Sequence, residues 1–158
     1  MAAHSTIGVN VYTAWQQTAG VKPSSNYTLL SQEIVEIPEF DSAPEGIDVT
    51  PLAELVAMRY IAGLKDNGQD FGMSGNINDT DMTTWEGLVT TAATNIPLGK
   101  FLEVMIVIPG VTKAYFLSGT PIKLGLPGIT VNSAFQGTYH IVPYQDHGWD
   151  TKGSITSA

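Results

Sequence analysis

The stretch Thr83–Ile108, TTWEGLVTTAATNIPLGKFLEVMIVI, carries two opposed periodicities in succession. Trp85, Leu88, Val89, Ala92, Ala93 and Ile96 recur at i, i+3, i+4, i+7, i+8 and i+11, the apolar stripe of a helix packed by one face. Thr83 and Glu86 have the Thr-x-x-Glu spacing of a capping box, so a helix is predicted over 83–95. Asp79 and Asp81 stand just ahead of it, where the partial positive charge of a helix start favours acids. Beyond Pro97 the period falls to two. In Lys100–Ile108, Leu102, Val104, Ile106 and Ile108 share one face, and Phe101, Glu103, Met105 and Val107 share the other. Both faces are largely apolar, which predicts a strand covered on both sides.

Working outward from this pair, shorter strands are expected at 113–118, 120–126, 129–134 and 137–143, a closing β region over 100–143. Tyr27–Ile37 is rich in β-branched and apolar residues and bounded by Pro23 and Pro38, so it reads as a strand, as does Phe71–Ile77. Residues 1–25 surround Trp15 with Ser, Thr, Gln and Gly, and 144–158 are polar, so both ends are expected to be extended arms. The 158 residues suit a single domain. With 16 Gly, 9 Pro and 14% charged residues, the composition favours β over α structure.

Lys and Arg number 7 against 15 Asp and Glu, a net charge of −8, the opposite of the basic footprint of a nucleic-acid binder. No binding to DNA or to an anionic membrane is expected. The absence of cysteine excludes disulfides and thiolate metal sites. The N-terminus lacks a basic region followed by an apolar core, so a soluble, non-secreted protein is expected.

Between the two early strands runs Ile37–Asn78, IPEFDSAPEGIDVTPLAELVAMRYIAGLKDNGQDFGMSGNIN, whose 38–70 portion is far longer than an ordinary strand connection. Such a length signals a functional or partner-facing loop. Within it Thr50 followed by Pro51 looks like a helix start, and local propensity favours a short helix over Pro51–Ala62 before Gly63.

No pattern in the chain supports catalysis, a metal or a cofactor. His147 is flanked by Asp146 and Asp150 but lacks further ligands, and reads as part of a solvated polar terminus. Gly72-Met73-Ser74-Gly75 misses the nucleophile-elbow spacing, since Asn76 stands where a second Gly belongs. Asn76, Asn78, Asp79 and Asp81 fit no calcium-loop register, and Gly119–Gly128 lacks the Gly-Lys-Ser/Thr of a phosphate loop. Pairs such as Glu33 and Glu36 read as surface charge on strands. Trp85 belongs to the helix stripe, whereas Trp15 and Trp149, in the expected arms, read as aromatic anchors against a neighbouring subunit.

The order of these parts, with Ile37-Pro38-Glu39-Phe40, then Pro44-Glu45-Gly46-Ile47-Asp48-Val49-Thr50, Tyr60-Ile61-Ala62-Gly63-Leu64-Lys65-Asp66 and, after the helix, Ala114-Tyr115-Phe116-Leu117-Ser118-Gly119, resembles the major tail tube protein of long, non-contractile-tailed bacteriophages. The resemblance covers nearly the whole chain. It implies a mainly β fold, a β-sandwich flanked by one α-helix, with six copies forming a ring whose inner strands join into a barrel, and rings stacked into a tube. It implies that the long loop, mostly extended in that family, contacts the next ring, here through Phe40, Ile47, Val49, Leu52, Tyr60 and Leu64. It implies a virion tail protein assembled in the host cytoplasm, with a tape-measure protein, a tail terminator and tail-tip proteins as partners. DNA would pass the lumen without specific binding, and Glu33, Glu36 and Glu103 are the acids expected to face it, since an acidic wall repels phosphates. Two other readings stand beside it: the related tube protein of type six secretion systems, and a carbohydrate-binding β-sandwich module using Trp15 or Trp149.

Overall fold

The structure, a computed structural model, describes residues 8–31, 33–40, 46–53, 57–62 and 70–155. It is mainly β with one long helix. The elements run β1 Asn10–Trp15, β2 Thr28–Ser31, β3 Ile34–Glu36, β4 Gly46–Asp48, β5 Tyr60–Ala62, β6 Phe71–Asn76, α1 Asp79–Asn95, a 3-10 turn Ile96–Leu98, β7 Leu102–Val107, β8 Lys113–Pro121 and β9 Gln136–Thr151. Seven of the strands form one antiparallel sheet in the order β2-β1-β7-β8-β9-β6-β3, while β4 and β5 form a separate hairpin. The outermost strands, β2 and β3, are separated in sequence only by Gln32 and Glu33, so the chain itself draws the two edges together. The sheet therefore curls almost into a barrel. Full closure would remove its edges, which a single chain leaves open at β2 and β3.

The inside is filled by Val11, Leu30, Phe71, Met73, Val104, Ile106, Leu117, Tyr139 and Ile141, contributed by six of the seven strands, and by Trp85 of α1. Trp85 is fully buried, lies 5.0 Å from the Tyr139 ring and donates its indole N–H to the Ile122 carbonyl at 2.8 Å. That bond gives the polar edge of the indole a partner without interrupting the apolar packing. Strand β7 is covered on both faces as its pattern predicts. Its outer face joins Ala14, Tyr27, Met105, Ala114 and Phe116 in a second apolar cluster. Tyr27 lies over that cluster, its ring 5.9 Å from Phe116 and its hydroxyl donating to the Pro23 carbonyl at 2.7 Å. Burial pushes its phenol far above the usual range, with the Glu103 carboxylate adding to the effect.

Several expectations change. α1 begins at Asp79, not Thr83: Asn78 is the cap, its side-chain oxygen accepting from the Asp81 amide at 2.8 Å. Thr83 lies within the helix and its hydroxyl donates back to the Asp79 carbonyl at 2.9 Å. Residues 10–15, expected in an arm, form β1 with register Asn10↔Val107 to Trp15↔Leu102. The C-terminal arm expected from 144 is the second half of β9 as far as Thr151, paired with β8. No strand forms over 122–135; that segment runs without regular structure from β8 to β9. The described residues of Pro51–Ala62 are not helical. Thr50 is used across the hairpin instead, its hydroxyl accepting from the Arg59 amide at 2.6 Å while the Val49 amide donates to the Arg59 carbonyl at 2.9 Å. Cross-strand bonding consumes the group that would have capped a helix, and local propensity yields.

Candidate functional site

Three features stand out: the hairpin, a polar sheet face, and a buried carboxylate. The β4–β5 hairpin pairs Gly46↔Ala62, Ile47↔Ile61 and Asp48↔Tyr60. Asp48 accepts from the Thr50 amide at 2.9 Å, and hydrogen bonding from Thr50 holds its carboxyl below the usual carboxylate range. Ile47, Val49 and Tyr60 are exposed, and Leu52 is fully exposed. Phe40 differs from them: it is half-buried, 5.5 Å from the Phe71 ring and 6.1 Å from Tyr115, so it roots the segment on the sheet rather than projecting from it. Leu64 lies outside the described residues.

The outward face of β3, β6 and the first half of β9 is largely polar, with Val35 and Val142 as its exposed apolar side chains. Glu33, just ahead of β3, accepts from Asn76 Nδ2 at 3.2 Å, and Asn76 in turn accepts from Gln136 Nε2 at 3.0 Å. One rung along, Ser74 and Thr138 share a hydroxyl contact of 3.3 Å, and a further rung carries His140 against Asp70 at 2.8 Å. Glu33 and Glu36 are both exposed here, and no Lys or Arg occurs in β3, β6 or Gln136–Val142. The edge strand seats closely because residue 75 is Gly; a Cβ there would stand 2.6 Å from the Glu33 carbonyl oxygen.

Glu103 does not share that exposure. It is fully buried on the opposite half of the sheet, where its carboxylate meets His147 Nδ1 at 2.7 Å and Gln16 Nε2 at 3.4 Å. Gln16 is itself fixed, its carbonyl oxygen accepting from the Gly20 and Phe101 amides at 3.1 Å each. Burial raises the Glu103 carboxyl above the usual range, while His147, Gln16 and nearby Lys22 pull it back. His147 reaches it because β9 bulges: Phe116 pairs with Gly148 and Leu117 with Asp146, leaving His147 between them, and Gly148 supplies the left-handed φ of +70°. The reading of His147 as a solvated terminal residue therefore fails. One signal pointed there: a lone acid on a strand apolar on both faces must be buried and needs a partner.

Trp15 ends β1, half-buried, and so lies in a strand of the sheet rather than in an arm. Trp149, in β9, is 52% exposed and stands edge-on to Tyr115 at 5.2 Å. Together with Phe40, Phe71, Ile106 and Asp146 they line an open cavity of about 550 Å³. Among the described residues, no group of three or more His, Asp or Glu side chains is placed to hold a metal.

Comparison with protein-family models and with curated proteins finds no match. The fold has a solved counterpart: a chain in the cryo-EM structure of the anti-feeding prophage (AFP) baseplate, 6-fold symmetrised, is similar with a TM-score of 0.61 and 12% identity, covering 97% of this chain and 95% of that one. At that identity the likeness is one of fold.

Proposed function

We propose that this chain is a structural, non-catalytic virion protein of a phage tail, assembling as six-membered rings that stack into a tube through which DNA passes. The observation that carries this reading is the outward face of β3, β6 and β9: largely polar, bearing Glu33 and Glu36, and free of Lys and Arg. A wall of that kind offers phosphates no cation to release counterions against, so DNA is not retained. The open edges β2 and β3 supply the means of joining copies into a continuous barrel. The fold likeness to a chain of a 6-fold symmetrised prophage assembly supports the same reading. The partners that follow are further copies, then tape-measure, terminator and tail-tip proteins, met in the host cytoplasm before the tail is complete. A type six secretion tube protein shares the ring logic.

One observation favours a different class: exposed Trp149 beside Tyr115 and Asp146, on an open aromatic-lined cavity, is an arrangement able to stack a sugar and bond its hydroxyls. Negative-stain microscopy of the concentrated protein, paired with a glycan array, separates the two. Rings or tubes without glycan binding are expected; monodisperse monomers retaining a glycan through Trp149 would favour the carbohydrate module.

A further inference from the structure

Strand β9 is bulged twice in quick succession. Tyr144 stands extra between the Ser118↔Gln145 and Gly119↔Pro143 pairs, as His147 does between Leu117↔Asp146 and Phe116↔Gly148. A bulge disrupts the ladder locally and re-aims side chains, and here the two flank one polar row. The register Ala14↔Glu103, Glu103↔Ser118 and Ser118↔Gln145 carries that row across β1, β7, β8 and β9. Glu103, Ser118 and Gln145 therefore project on the same side, each Cβ about 4.5–5.5 Å from the next. Glu103 and Ser118 are fully buried, and Gln16, which reaches Glu103 from the segment after β1, is 1% exposed. The turn behind Gln16 is held by the Gly20 amide on its side-chain oxygen at 3.1 Å and by the Val21 amide on the Thr18 carbonyl at 3.1 Å. Two oxygens of the row stand apart: Ser118 Oγ and Gln145 Oε1 are both buried, and neither has a hydrogen-bond partner among the described residues. Leaving a buried hydroxyl and a buried carbonyl unpaired is costly, and native proteins pair such groups with protein or with ordered water.

We infer that a single ordered water is built into the sheet here, accepting from the Ser118 hydroxyl and donating to Gln145 Oε1 and to the Glu103 carboxylate. These partners match what a buried water takes, about three hydrogen bonds to groups that would otherwise go unpaired. The row is chemically wrong for a metal ion. It offers three oxygens where calcium takes about six to eight. Glu103 already faces His147 Nδ1 at 2.7 Å and Gln16 Nε2 at 3.4 Å, with the Lys22 ammonium close enough to act on it. A neutral ligand that both donates and accepts suits that surrounding, and a cation does not. The consequence falls on β9. Gln136–Val142 belongs to the largely polar face, and the first bulge, Tyr144, falls where the strand leaves it. With His147 bonded to Glu103 and the water joining Glu103, Ser118 and Gln145, the stretch between the two bulges is tied to β7 and β8. The site belongs to the single chain, whether or not copies assemble.

A crystal structure of the full chain, at a resolution that shows ordered water, tests the site. One peak about 2.7–3.2 Å from Ser118 Oγ, Gln145 Oε1 and a Glu103 oxygen is expected. Ser118 Oγ bonded directly to Gln145 Oε1, or either atom bonded to another protein group, would overturn it. So would a peak with about six oxygen contacts at about 2.3–2.6 Å, which is a metal ion. Magnetic relaxation dispersion of the solvent counts long-lived internal waters in solution. The double variant Ser118→Ala with Gln145→Met, which leaves Glu103, His147 and Gln16 in place, is expected to show one fewer than the parent, with an unchanged circular-dichroism spectrum. An equal count in the two folded proteins would overturn the site. Where the double variant does not fold, the crystal structure of the parent decides alone.

Discussion

Glu103 carries a full carboxylate into a strand whose neighbours on both sides are apolar, and its partners, His147 and Gln16, come from two other elements. A buried acid of raised pKa adds stability fully below its unfolded value, near 4.3 for Glu, and that contribution is lost as pH rises through the higher folded value. Acidification from neutral pH through that folded value should therefore raise the melting temperature through this group. Glu103→Gln, which keeps an oxygen facing His147, should flatten that slope in calorimetry between neutral pH and the unfolded value of about 4.3; parallel curves for the two proteins would show that Glu103 is not its source. Trp85 presents the opposite case, a large ring wholly inside with its one polar atom satisfied. Trp85→Ala should cost about 3–5 kcal/mol in urea unfolding. The two residues also differ in how far the sequence exposed them. Trp85 falls on a helical stripe and reads directly as core. The burial of Glu103 can be inferred from its strand, but its pairing with His147 depends on a bulge in β9 that no local pattern marks.

At the scale of elements, a pattern was legible wherever it was long. The period-two run of β7 and the stripe of α1 both formed where read, though the helix starts a turn early because Asn78 caps it ahead of Thr83. Asn78→Ala should cost about 1 kcal/mol, against almost nothing for Thr83→Ala, a difference measurable by thermal unfolding. β1 and the second half of β9 were obscured because their outward positions are polar or aromatic and their inward ones few, so that pairing with β7 and β8, not composition, makes them strands. The β4–β5 hairpin shows the converse: Tyr60, Ile61 and Ala62, at the end of the run whose propensity favours a helix, pair as a strand beside cross-strand bonds through Thr50 and Arg59. Replacing residues 46–62 by a short Gly-Ser linker, with Phe40 retained as the root, should leave the melting temperature close to that of the parent while abolishing tubes in micrographs. Long tubes from that variant would remove the hairpin from stacking.

For the molecule as a whole, curvature and charge act together. A seven-stranded sheet that nearly closes on its own core leaves two edges and two kinds of outer surface. One half, over β7 and β8, is covered by Tyr27, beside which the Ser154 amide donates to the Ser24 carbonyl at 3.0 Å. The other, over β3, β6 and β9, is largely polar and carries no Lys or Arg in those strands. The net charge of −8 does not by itself place acids on one face, since Glu103 shares the sign of Glu33 and Glu36 and is buried elsewhere. Cryo-EM of the self-assembled protein, at a resolution that traces the sheet, tests the proposed tube most directly. Sixfold rings with Glu33, Glu36 and the Ser74–Thr138 rung on the lumen wall are the expected result; a lumen lined by lysines, or a protein monomeric at every concentration, would contradict it.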